Sequence, residues 1–459
     1  MSHAPSRISP IQALLLGFLA LAAVGAVLLA LPIATQPGEQ PLSAIDAVFE
    51  STSALTTTGL TAFDTGRHYS LFGQVALILL VQIGGIGYMT LVAFVMTMVA
   101  GHLSFQGSGM MQASLPVPSR GEMKSFVARV IVFTVFFETV GAALLVVHWL
   151  HEMPLDDAIY YGVFHSISAF ATSGYMLPPA GFAPYRDDAY FNVVINVLAI
   201  SGAVGFLVLG EAEAALAMLF GRARPGARRW LSVHTRLALS SLIVLGAVGT
   251  ALLLLLGLLH GTGGPSHAPP LPRSGYVALP ATFQAMSAVT TSGFSTVDIG
   301  SLPTPSLAVL AALMFIGAPT GGTGGGIKST TFAVLLLLTW AVLRGHRDVN
   351  AFGRRIETAT IAESVGVLMA ALIWLVPATI ALTLTEGADL MSALFEATSA
   401  LSTVGLTTGL ASHLSLPGKV VIIATMFVGR AGPLTIALSV FRSRLERAYR
   451  HPTEHVFVG

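Results

Sequence analysis

Residues 49–59 read FESTSALTTTG, and three further stretches repeat the pattern: FHSISAFATSG at 164–174, FQAMSAVTTSG at 283–293 and FEATSALSTVG at 395–405. All four obey F-x-x-x-S-A-x-x-T-x-G without a gap, from Phe49, Phe164, Phe283 and Phe395 to Gly59, Gly174, Gly293 and Gly405. The copies open 115, 119 and 112 residues apart. Solenoid and propeller repeats run to roughly 20–50 residues, so each copy here belongs to a small domain of its own.

What surrounds the motif is lipid-like. The chain has 459 residues, of which 54% are hydrophobic and only 10% charged, with a mean hydropathy of +0.78. Soluble domains carry about 25% charged residues. With no cysteine, a disulfide framework and thiolate metal sites are excluded.

Residues 11–33 are uncharged and long enough to span a bilayer. A signal peptide is the competing reading, but the apolar run exceeds the roughly 7–15 residues of such a segment and no A-x-A site follows. An amphipathic helix at 41–55, too short to span, ends in the first motif, and 71–100 spans again. The order recurs with a span at 126–150, a short helix at 155–171 and a span at 190–219. A span at 237–260, a Pro/Gly-rich link at 261–275, a short helix before Thr291 and a span from about 305 follow. The last set is 360–384, 388–402 and 418–441. The expected fold is an all-α polytopic membrane protein with eight spans and four re-entrant helices. Its four pseudo-symmetric helix–pore loop–helix units surround one central pore. Their expected bounds are 1–101, 102–221, 222–345 and 346–441, with a tail at 442–459 and no appended soluble domain expected.

Lysine and arginine set the orientation. The links between units carry Arg120, Lys124 and Arg129, then Arg222, Arg224, Arg228, Arg229 and Arg236, then Arg344, Arg347, Arg354 and Arg355. Arg442, Arg444, Arg447 and Arg450 follow the last span, whereas acids such as Asp46, Asp64, Asp156 and Asp389 flank the short helices. Both termini are expected in the cytoplasm, with the motifs entering from outside.

Irregular backbone at membrane depth is tolerated only where it is buried or lines a wet cavity. Each motif ends in T-x-G: Thr57, Thr58, Gly59; Thr172, Ser173, Gly174; Thr291, Ser292, Gly293; Thr403, Val404, Gly405. Glycine permits the positive φ that turns successive carbonyls the same way, and four such turns around an axis make rings of oxygens that replace the hydration shell of K⁺. The negative C-terminal ends of the short helices also favour a cation. Close packing through small residues explains the Ser and Ala, but not four short helices each ended by a glycine turn.

The third unit breaks its second span. Gly317, Pro319, Gly321, Gly322, Gly324, Gly325 and Gly326 cannot form regular helix, and a broken helix at the midplane is expected to line the path. The stretch GGTGGGIKS approaches a phosphate loop, but Ile327 separates Gly326 from Lys328 and no strand precedes it. Arg430, deep in the last span, needs partners; Glu138, the one acid deep in an earlier span, is one candidate, and its own role is unassigned. Lys328 is expected to face the inner vestibule or to snorkel. His151 and Glu152 begin an HExxH whose second histidine is replaced by Leu155.

Over nearly its whole length the chain resembles the Trk/Ktr/HKT superfamily of potassium transporters. The resemblance lies in the four motifs, QIGGIGYMT (82–90), GGTGGGIKS (321–329) and MFVGRAGPL (426–434). The start at the first span and the ending HPTEHVFVG look like the Ktr-type membrane subunit. The resemblance implies channel-like K⁺ uptake, with Gly59 in the first filter going with K⁺ over Na⁺. It implies a gate of Gly317, Thr320, Gly321, Gly322, Thr323, Gly324, Gly325, Gly326 and Lys328, held by Arg430. It further implies a homodimer with one pore per protomer, in the cell's inner (plasma) membrane. A cytosolic regulatory ring of RCK/KTN type, binding ATP/ADP or NAD(H), would dock on the links 222–236 and 344–355 and on the tail. Na⁺ stimulation stays open. No nucleotide site, nucleic-acid partner or enzymatic role is expected on this chain. An alternating-access transporter or intramembrane enzyme would need more ionisable groups at the midplane than Arg430, Lys328 and Glu138.

Overall fold

The computed structural model describes residues 10–86, 120–179, 181–220, 231–260 and 278–432. The described residues form helices in a recurring order. First come α1 (Pro10–Ala30), α2 (Ala44–Leu55) and α3 (Leu71–Gly85). Next are α4 (Arg120–Trp149), α5 (Leu155–Phe170), α6 (Ala189–Ala203) and α7 (Phe206–Leu219). Then follow α8 (Val233–His260), α9 (Ala278–Thr290), α10 (Thr304–Ile316) and α11 (Ser329–Leu343). The last three are α12 (Thr358–Glu386), α13 (Leu390–Leu401) and α14 (Leu416–Ala431). A two-stranded hairpin, β1 (Asn350–Ala351) with β2 (Arg354–Arg355), lies in the basic link between α11 and α12.

Local chemistry starts these helices. The hydroxyls of Ser43, Ser70 and Ser415 and the carboxylates of Asp188 and Asp389 accept N–H groups of the first turns of α2, α3, α14, α6 and α13. Such caps satisfy donors that the helix itself cannot pair. Each short helix then packs on the second helix of a neighbouring set: α2 on α14, α5 on α3, α9 on α6 and α13 on α10. The chain's first and last sets therefore meet. Lys419 Nζ, on α14, lies 2.5 Å from Asp46 Oδ1, on α2.

The outer faces are apolar and exposed. Val24 and Val27 on α1, Val132 and Phe136 on α4, Ile243 on α8 and Ile373 on α12 point away from the protein. Helices α4, α8 and α12 are each long and apolar enough to cross a membrane. The interior also holds hydroxyls: Thr56, Thr57, Thr58, Thr172, Ser173, Thr290 and Thr291 are all fully buried.

One expected span is corrected. Residues 190–219 do not run straight, because α6 and α7 meet at 104°. The bend is set at Gly205, whose φ is +99°. Two backbone bonds hold it to the 317–328 loop: Phe206 N–H donates to Gly321 O at 3.1 Å and Thr323 N–H to Gly202 O at 3.0 Å. Parts of the expected spans 71–100 and 418–441, the link 261–275, the basic residues 222–229 and the tail 442–459 lie outside the described residues, as do the side chains of Arg120 and Lys124.

Candidate functional site

Each motif builds the same helix ending. The alanine carbonyl accepts from the motif threonine: Thr57 N–H to Ala54, Thr172 to Ala169, Thr291 to Ala288 and Thr403 to Ala400, at 3.0–3.3 Å. The serine carbonyl accepts from the next residue: Thr58 N–H to Ser53, Ser173 to Ser168, Ser292 to Ser287 and Val404 to Ser399, at 2.8–2.9 Å. This pair of bonds is a Schellman motif, which requires a left-handed residue at its hinge, ordinarily glycine. Here the hinge is threonine every time, with φ of +53°, +53°, +57° and +47° at Thr57, Thr172, Thr291 and Thr403. A β-branched residue held there costs roughly 1–3 kcal/mol, and such strain clusters at functional sites.

Two residues on, Gly59, Gly174, Gly293 and Gly405 are again left-handed, at +77°, +71°, +73° and +94°. Each is pressed against the next turn. A Cβ on Gly59 would collide with Ser173 O, one on Gly174 would sit 2.8 Å from Ser292 O, one on Gly293 would collide with Val404 O, and one on Gly405 with Thr58 O. The contacts run from the first turn to the second, third and fourth, then back to the first. They form a closed ring of backbone with no room for any side chain at the four glycines.

The 317–328 loop lies against this ring. Gly325 N–H donates to Thr291 Oγ1 at 2.9 Å, and Thr323 Oγ1 sits 3.1 Å from both Thr172 Oγ1 and Phe170 O. A side chain on Gly325 would strike Ser402 O and Thr403 Oγ1. The loop is pinned to its own flanks by Ala318 N–H to Gly325 O and Ile327 N–H to Phe315 O, and Thr320 Oγ1 meets Thr330 Oγ1 at 2.7 Å. Gly317 and Gly326, both left-handed, pack on each other where it enters and leaves. Two cations grip the loop's carbonyls: Arg430 Nη1 donates to Thr323 O at 2.6 Å and Lys328 Nζ to Gly324 O at 2.6 Å. Arg430 Nη2 also donates to Gly84 O, at the end of α3.

Lys328 and Glu138, left open by the sequence, both find partners here. Lys328 folds back onto its own loop. Glu138 receives the Gln82 amide at 2.9 Å, and its backbone carbonyl accepts the Ser166 hydroxyl at 2.7 Å, while Arg430 serves the loop. The Gly205 bend is one part of the site that sequence reading missed.

The family model of the TrkH cation transport proteins matches residues 21–448. The chain belongs to this family. The solved structure of the potassium transporter TrkH from Vibrio parahaemolyticus has the same fold, with a TM-score of 0.72 at 22% identity over 96% of this chain and 87% of that one. Two Ktr system potassium uptake proteins B, from Vibrio alginolyticus and Bacillus subtilis, are each 35% identical to it, over 97% and 99% of this chain and 94% and 97% of theirs. A potassium/sodium uptake protein, NtpJ, of Enterococcus hirae is 30% identical over 99% of this chain and 98% of its own.

Proposed function

We propose that this chain takes up potassium across the cell membrane through the ring at Gly59, Gly174, Gly293 and Gly405, with the 317–328 loop as its gate. The observation that carries the reading is the cyclic contact of each glycine with the carbonyl of the next turn. In each T-x-G, left-handed residues flank one that is not. That alternation cancels the ordinary strand-like reversal of successive peptides, so the carbonyls of one turn face one side. Four such turns offer stacked oxygens in place of water around a desolvated K⁺.

The buried Oγ1 atoms of Thr57 and Thr403 have no hydrogen-bond partner among the described residues. These lone pairs are available to an ion or its water. The loop covers the ring on the side where the two cations hold it, and positive charge there opposes cation passage until the loop moves. The names of the relatives support potassium as the ion, and the Enterococcus hirae protein keeps sodium involvement open.

In this reading the four helix sets are pseudo-symmetric units around one pore, both termini are cytoplasmic, and the motifs face outside. The chain works as a homodimer with one path per protomer. Control comes from a separate cytosolic nucleotide-binding subunit of RCK/KTN type; the Ktr system names of the relatives support a partner subunit and no more than that. Flux of ⁸⁶Rb⁺ and ²²Na⁺ into vesicles tests the ring: Gly59→Ser should let Na⁺ compete, because its Cβ strikes Ser173 O. Unchanged ion preference would remove the first turn from the pathway.

A further inference from the structure

The position after the motif phenylalanine escapes the consensus because its residue type varies: Glu50, His165, Gln284 and Glu396. Its burial and reach do not vary. All four side chains are buried, between 0% and 3% exposed, and each reaches forward to the third residue beyond its own ring glycine. Glu50 Oε1 accepts Ala62 N–H at 2.8 Å, His165 Nε2 accepts Leu177 N–H at 3.0 Å, and Glu396 Oε1 accepts Thr408 N–H at 2.9 Å. Gln284 Nε2 reaches the same place by another route, 3.3 Å from Ser295 Oγ and 3.5 Å from Thr296 Oγ1.

The chemistry at each copy is adapted to the residue. His165 Nδ1 lies 2.7 Å from Tyr161 O, so the proton sits on Nδ1 and leaves Nε2 free to accept from Leu177. Glu396 gathers two hydroxyls besides the backbone group, Thr407 Oγ1 at 2.5 Å and Thr408 Oγ1 at 3.1 Å. A buried polar group left unpaired costs roughly 1–3 kcal/mol, so four of them in equivalent places need a shared reason. The Schellman bonds hold each turn at its inner end. The side chain after the phenylalanine holds it at its outer end, with the ring glycine between.

We propose that Glu50, His165, Gln284 and Glu396 are positioning residues of the ion-selective ring, each strapping the outer limb of its turn to its own short helix so that the ring keeps the diameter that favours K⁺. The inference rests on the ring being the filter. The straps are unequal: units one, two and four hold a backbone N–H, whereas unit three holds only hydroxyls. Glu396, with three bonds, is the strongest strap and Gln284 the weakest.

The test is K⁺/Na⁺ competition for flux in vesicles containing the full chain, with Gly405→Ser as the control for the ring itself. Glu396→Ala should lower potassium preference about tenfold, the scale expected for leaving a buried donor without its acceptor. Glu396→Gln should stay within about threefold, because its amide oxygen still accepts from Thr408 N–H. Gln284→Ala should have the smallest effect. Thr408→Val removes one arm without touching the buried acid; it should shift the ratio by about two- to threefold, and it serves if Glu396→Ala does not fold. Wild-type preference in both Glu396→Ala and Thr408→Val, or in Thr408→Val alone where Glu396→Ala cannot be recovered, with a shifted Gly405→Ser control, overturns the straps and spares the filter. A Gly405→Ser variant that also keeps wild-type preference overturns the filter reading itself.

Discussion

Arg430 on α14 donates to the Thr323 carbonyl at 2.6 Å, joining the last helix to the loop of the third set. The same guanidinium reaches Gly84 O on α3. One side chain thus ties three parts of the chain together beneath the ring. An arginine inside a membrane span is costly unless its donors find acceptors, and two donors of this one meet backbone carbonyls, Thr323 O and Gly84 O.

Arg430→Ala should release the loop. A hydrogen bond to a charged group contributes about 1.5–3 kcal/mol, so K⁺ flux should rise about tenfold while the K⁺/Na⁺ ratio stays near wild type. Flux into vesicles reads both quantities. Lower flux, or a changed ratio, would mean that Arg430 serves the ring and not the gate.

The Gly205 bend gives an independent handle on the same loop. A methyl at Gly205 would sit 2.8 Å from Thr320 O on a backbone at φ +99°, a conformation that alanine resists. Gly205→Ala should therefore push the loop from its seat and raise flux with ion preference retained. A variant with wild-type flux and wild-type thermal stability would show that the bend does not hold the loop.

Much of this was legible in the sequence because the chain repeats itself. The short helices, the T-x-G turns and the broken 306–343 stretch each leave a compositional mark, and comparing four copies isolates it. The bend at Gly205 leaves none. SGAVGF reads as ordinary apolar helix, and the break exists only because Gly321 and Thr323, over a hundred residues away, offer the bonds that replace helical ones. The strap residues were hidden for the opposite reason. Glu50, His165, Gln284 and Glu396 differ in charge and shape, so only their common reach to the outer limb unites them. Arg430 announced a need for partners; its residue type alone did not choose between Glu138 and the loop, whereas the resemblance pointed to the loop, where its guanidinium meets Thr323 O.

Lys419 and Asp46 close the circle between the first and last sets. Both side chains are mostly buried, at 17% and 12% exposure, and Asp46 also accepts the Ser43 hydroxyl at 2.6 Å. Lys419→Met should cost about 2 kcal/mol, between the values for surface and buried pairs. Melting in detergent should fall by a few degrees, and Asp46→Asn in the same chain should recover part of the loss. An unaltered melting temperature would place the closure elsewhere.

Regulation should require a second protein. Flux through the purified chain alone should ignore ATP, ADP and NAD(H), and should respond to nucleotide only after a cognate cytosolic subunit is added. Nucleotide-sensitive flux from the chain by itself would reopen GGTGGGIKS as a phosphate site.

The ring itself can be seen directly. Crystals grown in Rb⁺ or Tl⁺, which substitute for K⁺ and scatter anomalously, should show peaks on the axis enclosed by Gly59, Gly174, Gly293 and Gly405, bounded by the carbonyls of Thr58, Ser173, Ser292 and Val404. Peaks confined to another part of the molecule, with none inside that ring, would contradict the account.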